Sequence, residues 1–313
     1  MNTEEEYRNG YLVTSQMKKV WNVQIQLLKK LLEVCNKYNL RIWADSGTLL
    51  GTIREHGYIP WDDDIDMGMF REDYDKLLEV APLEFNAPYC MQSALWTPRF
   101  SRGHAQLRMD DTAGILPFDI FQDFHLGIFI DIFVYDAVPD NESEFILLQK
   151  RAEKMKRCIK AYCYPMPMLS GIRRPIRFWR NLCGRLFVRR HSFKKTFQEY
   201  DHLFKTYHIA DNNRVAYMMH RFQPEKFLDK KLFEETIYMP FENVMMPVPG
   251  GYDNILKAEY GNYMEPRKAP TTHGGYLVLD AEHSYKDYIP QLRRQHRHDK
   301  KVKIISRIKG LFH

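Results

Sequence analysis

The sequence predicts an α/β fold of the α+β kind, in which helices flank a small mixed sheet and a basic, mostly helical insertion follows. Three observations predict it. Residues 15–39 carry apolar side chains at helical spacing, and residues 126–134 form a continuous apolar run typical of a buried central strand. Residues 141–210 combine helical periodicity with many Lys and Arg side chains.

The remaining elements are shorter and surround an acidic segment. Residues 40–44 predict a short strand, and Asp45-Ser46-Gly47 predicts a turn that opens a helix continuing to residue 53. Residues 65–69 predict a strand, residues 71–80 a helix, and residues 238–248 strands joined by turns.

Four segments are expected along the chain. Residues 1–140 form the core, residues 141–212 the basic insertion, residues 213–290 a part that completes the domain of the core, and residues 291–313 a basic amphipathic tail.

Length and composition restrict the class of protein. The chain has 313 residues, of which 44% are apolar, enough to bury a large core. No apolar run approaches the roughly 18 to 20 residues that span a bilayer, and the charged first residues lack the apolar core of a signal peptide. We therefore expect a cytoplasmic protein. The five cysteines lack the paired spacing of a zinc site and are expected to be reduced thiols.

Positive charge is concentrated in two segments. Residues 151–195 contain 14 Lys or Arg against one Glu, and residues 291–313 contain eight against one Asp, although the net charge is only +6. Both segments interleave cations with apolar side chains, a pattern typical of helices that lie on anionic membranes. Peripheral attachment to the inner face of the membrane is expected. The alternative is a solvated basic face packed on the acidic body; no nucleic-acid-binding module accompanies the charge.

Four aspartates, Asp62, Asp63, Asp64 and Asp66, lie in an otherwise apolar stretch. On a strand, Asp62, Asp64 and Asp66 point to one face, because side chains alternate with a period of two. Converging carboxylates are ligands for a hard divalent cation. Asp63, on the other face, is expected to bond backbone amides or Arg71.

Two other interpretations of the acidic stretch are weaker. A solvated turn does not suit its flanking Trp, Ile and Met side chains. A calcium loop of the EF-hand type needs Gly where this chain has Met67, and Glu where it has Asp73.

A further carboxylate and a helix start extend this candidate site. Asp131 lies within the apolar run, where a charge costs several kcal/mol unless it is compensated, for example by a shared metal. The alternative partners of Asp131 are backbone amides or an Arg. Ser46, Gly47 and Thr48 open a helix whose free amides suit a phosphate, and Gly47 and Gly51 allow close backbone approach. Alone, such a helix start is more often only a cap.

The order Gly-Thr helix start, Asp-x-Asp and a third Asp resembles the nucleotidyltransferase superfamily. The string from Ser46 to Asp66, SGTLLGTIREHGYIPWDDDID, resembles the LicD family, which includes the fukutin-related proteins. Scattered similarity extends from about residue 25 to 275 and is dense only between residues 43 and 75. The resemblance implies a nucleotidyltransferase-like core.

The same resemblance implies transfer of a phosphocholine-like group from a CDP-linked donor such as CDP-choline. The implied acceptor is a sugar hydroxyl of a surface glycan or of its lipid-linked precursor. Asp64, Asp66 and Asp131 are the implied catalytic residues, and they would hold Mg²⁺ or Mn²⁺ with Asp62 as a further ligand. Asp131 is also the candidate base for the attacking hydroxyl.

Four other side chains are weaker candidates for the site. Arg54 and Arg108 are candidate phosphate clamps, because guanidinium groups present paired donors, although both could equally be structural. His56 and His273 are candidates for the acceptor site, although a lone His is more often structural.

Two positions depart from the family pattern, which tends to have a basic residue at Glu55 and Lys at Gln106. An altered donor pocket is one consequence. A nucleotidyltransferase or glycosyltransferase with the same Asp-x-Asp metal site is the alternative enzyme, and a non-catalytic module that binds glycans or membranes is the alternative outside catalysis.

Overall fold

A computed structural model describes residues 2–163, 179, 182–183, 186, 192–219, 226–268 and 275–309, with side chains as far as residue 298. Its helices are α1 (Ser15–Lys37), α2 (Ser46–Arg54), α3 (Arg71–Glu84), α4 (Glu142–Cys163), α5 (Phe193–Lys205), α6 (Tyr252–Tyr260) and α7 (Tyr285–Lys309). Its strands are β1 (Glu6–Arg8), β2 (Tyr11–Val13), β3 (Trp43–Ala44), β4 (Asp66–Phe70), β5 (Tyr89–Gln92), β6 (Ala105–Met109), β7 (Ala113–Ile115), β8 (Phe129–Val138), β9 (Arg214–Ala216), β10 (Leu228–Asp229), β11 (Thr236–Phe241), β12 (Val244–Pro249) and β13 (Val278–Asp280).

The strand β8 organises a mixed sheet of seven strands. It pairs with β4 in parallel along one edge. Along its other edge, its first half pairs antiparallel with β6 and its second half antiparallel with β9. The strands β3, β5 and β10 extend the sheet, and three two-stranded ribbons (β1–β2, β7–β13 and β11–β12) lie outside it. The α+β class and mixed sheet predicted from the sequence are confirmed.

The helix α1 forms much of one wall of the core. Its N-terminus is capped by Thr14, whose hydroxyl accepts a hydrogen bond from the amide of Met17. The apolar stripe read from the sequence is buried, and Trp21 stacks on Tyr58 with ring centroids 4.4 Å apart. Because both rings are almost fully buried, this contact fixes α1 against the segment that leads to the acidic stretch.

A buried ion network joins α3, β8 and α5. Arg71 pairs through two nitrogens with Asp136, at 2.6 and 3.1 Å, and through a third with Asp201 at 2.9 Å. Burial opposes the charge of Arg71, but Asp136 and Asp201 outweigh it and raise the arginine pKa above its usual value. Arg71 thus pairs with these aspartates at the far end of β4 and not with Asp63, so one of the two kinds of partner predicted for Asp63 is wrong.

The basic segments are described in part. Helices α4 and α5 confirm the predicted helical character for residues 142–163 and 193–205, whereas most of residues 164–191 and the tail from residue 310 lie outside the described residues. In the part of the chain that is described, no helix is both long enough and apolar enough to cross a bilayer. The cysteines that are described in this structure are free thiols.

Candidate metal centre and active site

Two carboxylates face each other across the parallel strands β4 and β8. Asp66, the first residue of β4, is the direct partner of Asp131 on β8. Adjacent strands lie about 4.8 Å apart, and like charges directly opposite destabilise a sheet. The amide of Asp131 also donates to the carbonyl of Ile65. The parallel register therefore brings together two of the carboxylates predicted from the sequence as ligands.

Three further carboxylates cluster just before β4. One oxygen from each of Asp62, Asp63 and Asp64 lies within 4.8 Å of the others. Residues 62–65 precede the strand, so they do not alternate between faces as a strand would. The predicted separation of Asp63 from Asp62 and Asp64 is therefore wrong, since all three carboxylates converge.

Buried side chains of α1 hold this acidic segment in place. Trp21 donates its indole N–H to the carbonyl of Asp62 at 3.0 Å, and Gln24 donates its amide N–H to the carbonyl of Asp63 at 2.8 Å. Both donors are fully buried. The two backbone carbonyls of the acidic segment are thus satisfied by α1, and this anchors the segment whose carboxylates converge.

The raised pKa values of two of these carboxyl groups show that their proximity is unfavourable. Burial and the charges of Asp62, Asp63 and Asp131 raise the pKa of Asp64 well above its usual value. Burial and the charges of Asp64, Asp131 and Asp45 do the same to the pKa of Asp66. A divalent cation at this point would reverse these effects, because it favours the ionised carboxylates.

Asp131 is the exception among these carboxylates. Burial alone would raise its pKa, but His104 and Gln106 outweigh burial and hold the pKa of Asp131 below its usual value. Gln106 donates to Asp131 Oδ1 at 2.6 Å, and His104 Nε2 lies 3.2 Å from the same oxygen. Asp131 therefore stays ionised, as a metal ligand must be. Its lowered pKa also makes it a weak base.

The N-terminus of α2 lies beside the acidic segment. Ser46 adopts a φ of 47°, in the left-handed region that is strained for a side chain other than Gly. A Cβ on Gly47 would lie 2.8 Å from Asp62 Oδ2, so the glycine makes room for this carboxylate. Thr48 accepts a hydrogen bond from the amide of Asp66 at 2.8 Å and so joins α2 to β4.

Gly51 has a structural function that the sequence did not indicate. A Cβ there would lie 2.5 Å from the carbonyl oxygen of Gly57 and 3.3 Å from the amide of Ile59. The close backbone approach predicted at Gly51 is therefore to the chain itself. The phosphate assignment of Ser46, Gly47 and Thr48 stays a prediction.

The two predicted arginine clamps are bound within the protein. Arg54 ends α2, eight residues or about 12 Å along the helix from Ser46, and it bonds the carboxylate of Glu55 and the carbonyl of Tyr263. Arg108 is fully buried, and burial lowers its pKa to about 10, with a further contribution from Arg102. Neither guanidinium is presented to solvent as a phosphate clamp would be.

Of the two predicted histidines, His56 occupies a turn with a φ of 54°, and its carbonyl accepts a hydrogen bond from the amide of Glu242. His273 lies outside the described residues.

The donor set fits Mg²⁺ or Mn²⁺. It consists of carboxylate oxygens, the hard ligands that these cations prefer, and it includes groups whose pKa is raised by like charges. No other group of three His, Cys, Asp or Glu within the described ranges has this geometry.

Sequence reasoning did not assign His104 a place at the site. His104, Gln106 and Arg108 alternate with the apolar Ala105 and Leu107, a period-two signal for a strand with one polar face. Register with β8 places that face beside Asp131. Asp45 was also missed; its charge contributes to the raised pKa of Asp66.

A family model matches the part of the chain that contains the acidic site. Residues 39–170, which include every acidic residue of the site, match the family model described as the LicD/FKTN/FKRP nucleotidyltransferase domain. These residues are thus similar to nucleotidyltransferase domains of the LicD type.

Similar proteins extend this result along the chain. A lipopolysaccharide cholinephosphotransferase, LicD, from Haemophilus influenzae is 26% identical over 243 residues, which cover 74% of this chain and 85% of that protein. Uncharacterised proteins from Rickettsia prowazekii and Rickettsia typhi are 46% and 44% identical over 57 residues, 18% of this chain. The match to the family model and the similarity to this cholinephosphotransferase support the LicD-type phosphotransferase that the sequence predicted.

Proposed function

We propose that this protein transfers a phosphocholine-like group from a CDP-linked donor, such as CDP-choline, to a sugar hydroxyl of lipopolysaccharide or a related surface glycan, or of its lipid-linked precursor. The observation that carries the proposal is the direct pairing of Asp66 with Asp131 beside the Asp62–Asp64 cluster. The similar cholinephosphotransferase of Haemophilus influenzae supports the headgroup and the class of acceptor.

In this proposal Asp64, Asp66 and Asp131 hold Mg²⁺ or Mn²⁺, with Asp62 and Asp63 as further ligands. The cation would neutralise charge on the donor phosphates and on the departing CMP. The acceptor oxygen bonds to the phosphorus that carries the headgroup, the P–O–P bridge breaks, and CMP departs with the electron pair. The hydroxyl proton leaves to a carboxylate or to water. The first turn of α2 supplies amides for the donor phosphates.

We also propose that the basic segments hold the enzyme at the inner face of the membrane, where a lipid-linked acceptor is located. Support comes from the charge of residues 151–195 and 291–313 and from the 25-residue helix α7, most of whose charged side chains are basic.

Product analysis with the purified protein tests the reaction. The protein is incubated with Mg²⁺ and a panel of CDP-linked donors, with and without a glycan acceptor. Release of CMP together with an acceptor that gains the phosphorylated headgroup is the expected result. Release of CDP would indicate a different leaving group, and a nucleotidylated acceptor would indicate nucleotidyl transfer; either outcome contradicts the proposal. The same is true if no donor is consumed.

A further inference from the structure

The strand β6 and the residue just before it present three polar side chains to the region around Asp131. His104 precedes the strand, Gln106 and Arg108 follow at spacing two, and Gln106 is the direct cross-strand partner of Asp131. Gln106 and Arg108 are almost fully buried, with exposed fractions of 1% and 0%. Buried polar groups of this kind are costly unless their hydrogen bonds are satisfied, so their partners indicate what they hold in place.

The contacts to the Asp131 carboxylate are concentrated on one oxygen. Oδ1 accepts from Gln106 Nε2 at 2.6 Å and lies 3.2 Å from His104 Nε2, whose ring is held in turn by a 2.6 Å contact between Nδ1 and the hydroxyl of Tyr217. The described residues donate no hydrogen bond to Oδ2, and the Asp131 side chain is 16% exposed. Oδ2 is therefore the oxygen available to a cation.

Arg108 determines which way the Gln106 amide points. Its Nη2 donates to Gln106 Oε1 at 2.5 Å, and its Nη1 donates to the carbonyl of Gly127 at 2.7 Å. A guanidinium has only donors, so the amide must turn its oxygen to Arg108 and its NH₂ group to Asp131. The ring of Phe129 lies 4.5 Å from the Arg108 guanidinium carbon and fixes the guanidinium from one face.

We propose that Arg108 is a positioning residue that acts through Gln106 to fix the Asp131 carboxylate, so that Asp131 binds the cation through Oδ2 alone. This inference rests on the cation site of the proposed function. The inference explains why Arg108 is buried beside the site without any contact between Arg108 and phosphate. Residues that orient a metal ligand in this way typically contribute about 10- to 100-fold to metal affinity.

Binding of Mn²⁺ to the full chain, followed by the loss of the free-ion electron paramagnetic resonance signal, tests the inference. We expect Gln106→Leu and Arg108→Met each to weaken Mn²⁺ binding by about tenfold or more. Because both act on one carboxylate through one path, the double variant should bind about as weakly as Gln106→Leu alone. Arg293→Met is the matched control, since that arginine also bonds backbone carbonyls, those of Ile120 and Gln122, but away from the site.

Thermal unfolding shows which variants are folded, and if Arg108→Met does not fold, Gln106→Leu carries the test. Wild-type affinity in folded Arg108→Met or Gln106→Leu would overturn the inference, as would losses that multiply in the double variant. Failure of the proposed cation site is distinguishable, because then the wild type would bind no Mn²⁺ or Asp131→Asn would bind it equally well.

Discussion

At the scale of single residues, the acidic site is built from groups that repel one another. Asp66 and Asp131 are direct neighbours across two strands, and Asp64 and Asp66 both have a raised pKa. Such an arrangement lowers stability in the absence of a cation and is retained where function requires it.

Because of this repulsion, we expect one substitution to lower turnover and to raise the unfolding temperature. Asp66→Asn should lower turnover by at least about 10³-fold through loss of metal charge stabilisation. In cation-free buffer the same variant should unfold at a higher temperature than the wild type, because one of two facing charges is removed. Turnover and thermal unfolding measure the two effects. The exposed Asp211→Asn is the control for both. Unchanged turnover in Asp66→Asn would contradict the site assignment.

Two glycines of α2 have different neighbours, one in the acidic site and the other in the packed backbone. A Cβ on Gly47 meets the end of a movable carboxylate, whereas a Cβ on Gly51 meets the backbone carbonyl of Gly57. We expect Gly47→Ala to weaken cation binding with a small change in unfolding temperature. Gly51→Ala should cost about 1 to 3 kcal/mol in the free energy of unfolding. Calorimetry and Mn²⁺ titration of both variants test this, and equal destabilisation of the two would contradict it.

At the scale of elements, the partly buried His125 links the turn before β8 to the loop that follows β6. Its Nδ1 accepts from the amide of Gly127 at 3.1 Å, so the proton is on Nε2, which donates to Asp110 at 2.9 Å. Burial and nearby Arg108 lower the pKa of His125 to about 4.

The shift at His125 predicts a pH dependence of stability. Its pKa in the folded chain is about 4, below the usual 6.5, so the unfolded chain binds more protons between these values. The free energy of unfolding should therefore fall as pH is lowered from about 6.5 to about 4. In His125→Gln this part of the fall should disappear. Denaturant unfolding at several pH values measures both proteins, and parallel pH profiles would show that His125 does not cause the effect.

The elements also show what the sequence could and could not predict. The helix α1 and the apolar strand β8 were predictable, because each has a long periodic or continuous apolar pattern. The start of β4 was predicted one residue early, since the carboxylates before it obscure the strand pattern. Register was not predictable: the pairing of Asp66 with Asp131 depends on tertiary contacts between segments 65 residues apart.

The sequence was enough to predict which types of side chain form the candidate site, but not which groups those side chains contact. The acidic side chains could be identified because charges in apolar surroundings are conspicuous. The roles of Arg54, Arg108 and Gly51 could not, because an arginine or glycine in the sequence does not reveal whether its partner is a ligand or the chain's own backbone.

At the scale of the whole molecule, charge is segregated between an acidic centre and basic segments. We expect the protein to float with vesicles that contain anionic lipid at low salt and to be released as salt rises, because screening weakens attraction between exposed charges. Vesicles of neutral lipid are the control. Absence of binding to anionic vesicles at low salt would leave the basic segments as a solvated face packed on the acidic body.

The parallel alignment of β4 with β8 has one more consequence. A slip of one residue would set Asp66 opposite Ile130 or Ile132 and would turn the neighbouring side chains to the wrong faces. Only the correct alignment assembles the carboxylates, and a cation bound to them would stabilise that alignment over the others. A cation usually considered for its part in catalysis would thus also favour one register of β4 and β8 over the others. That register is the one that assembles the site.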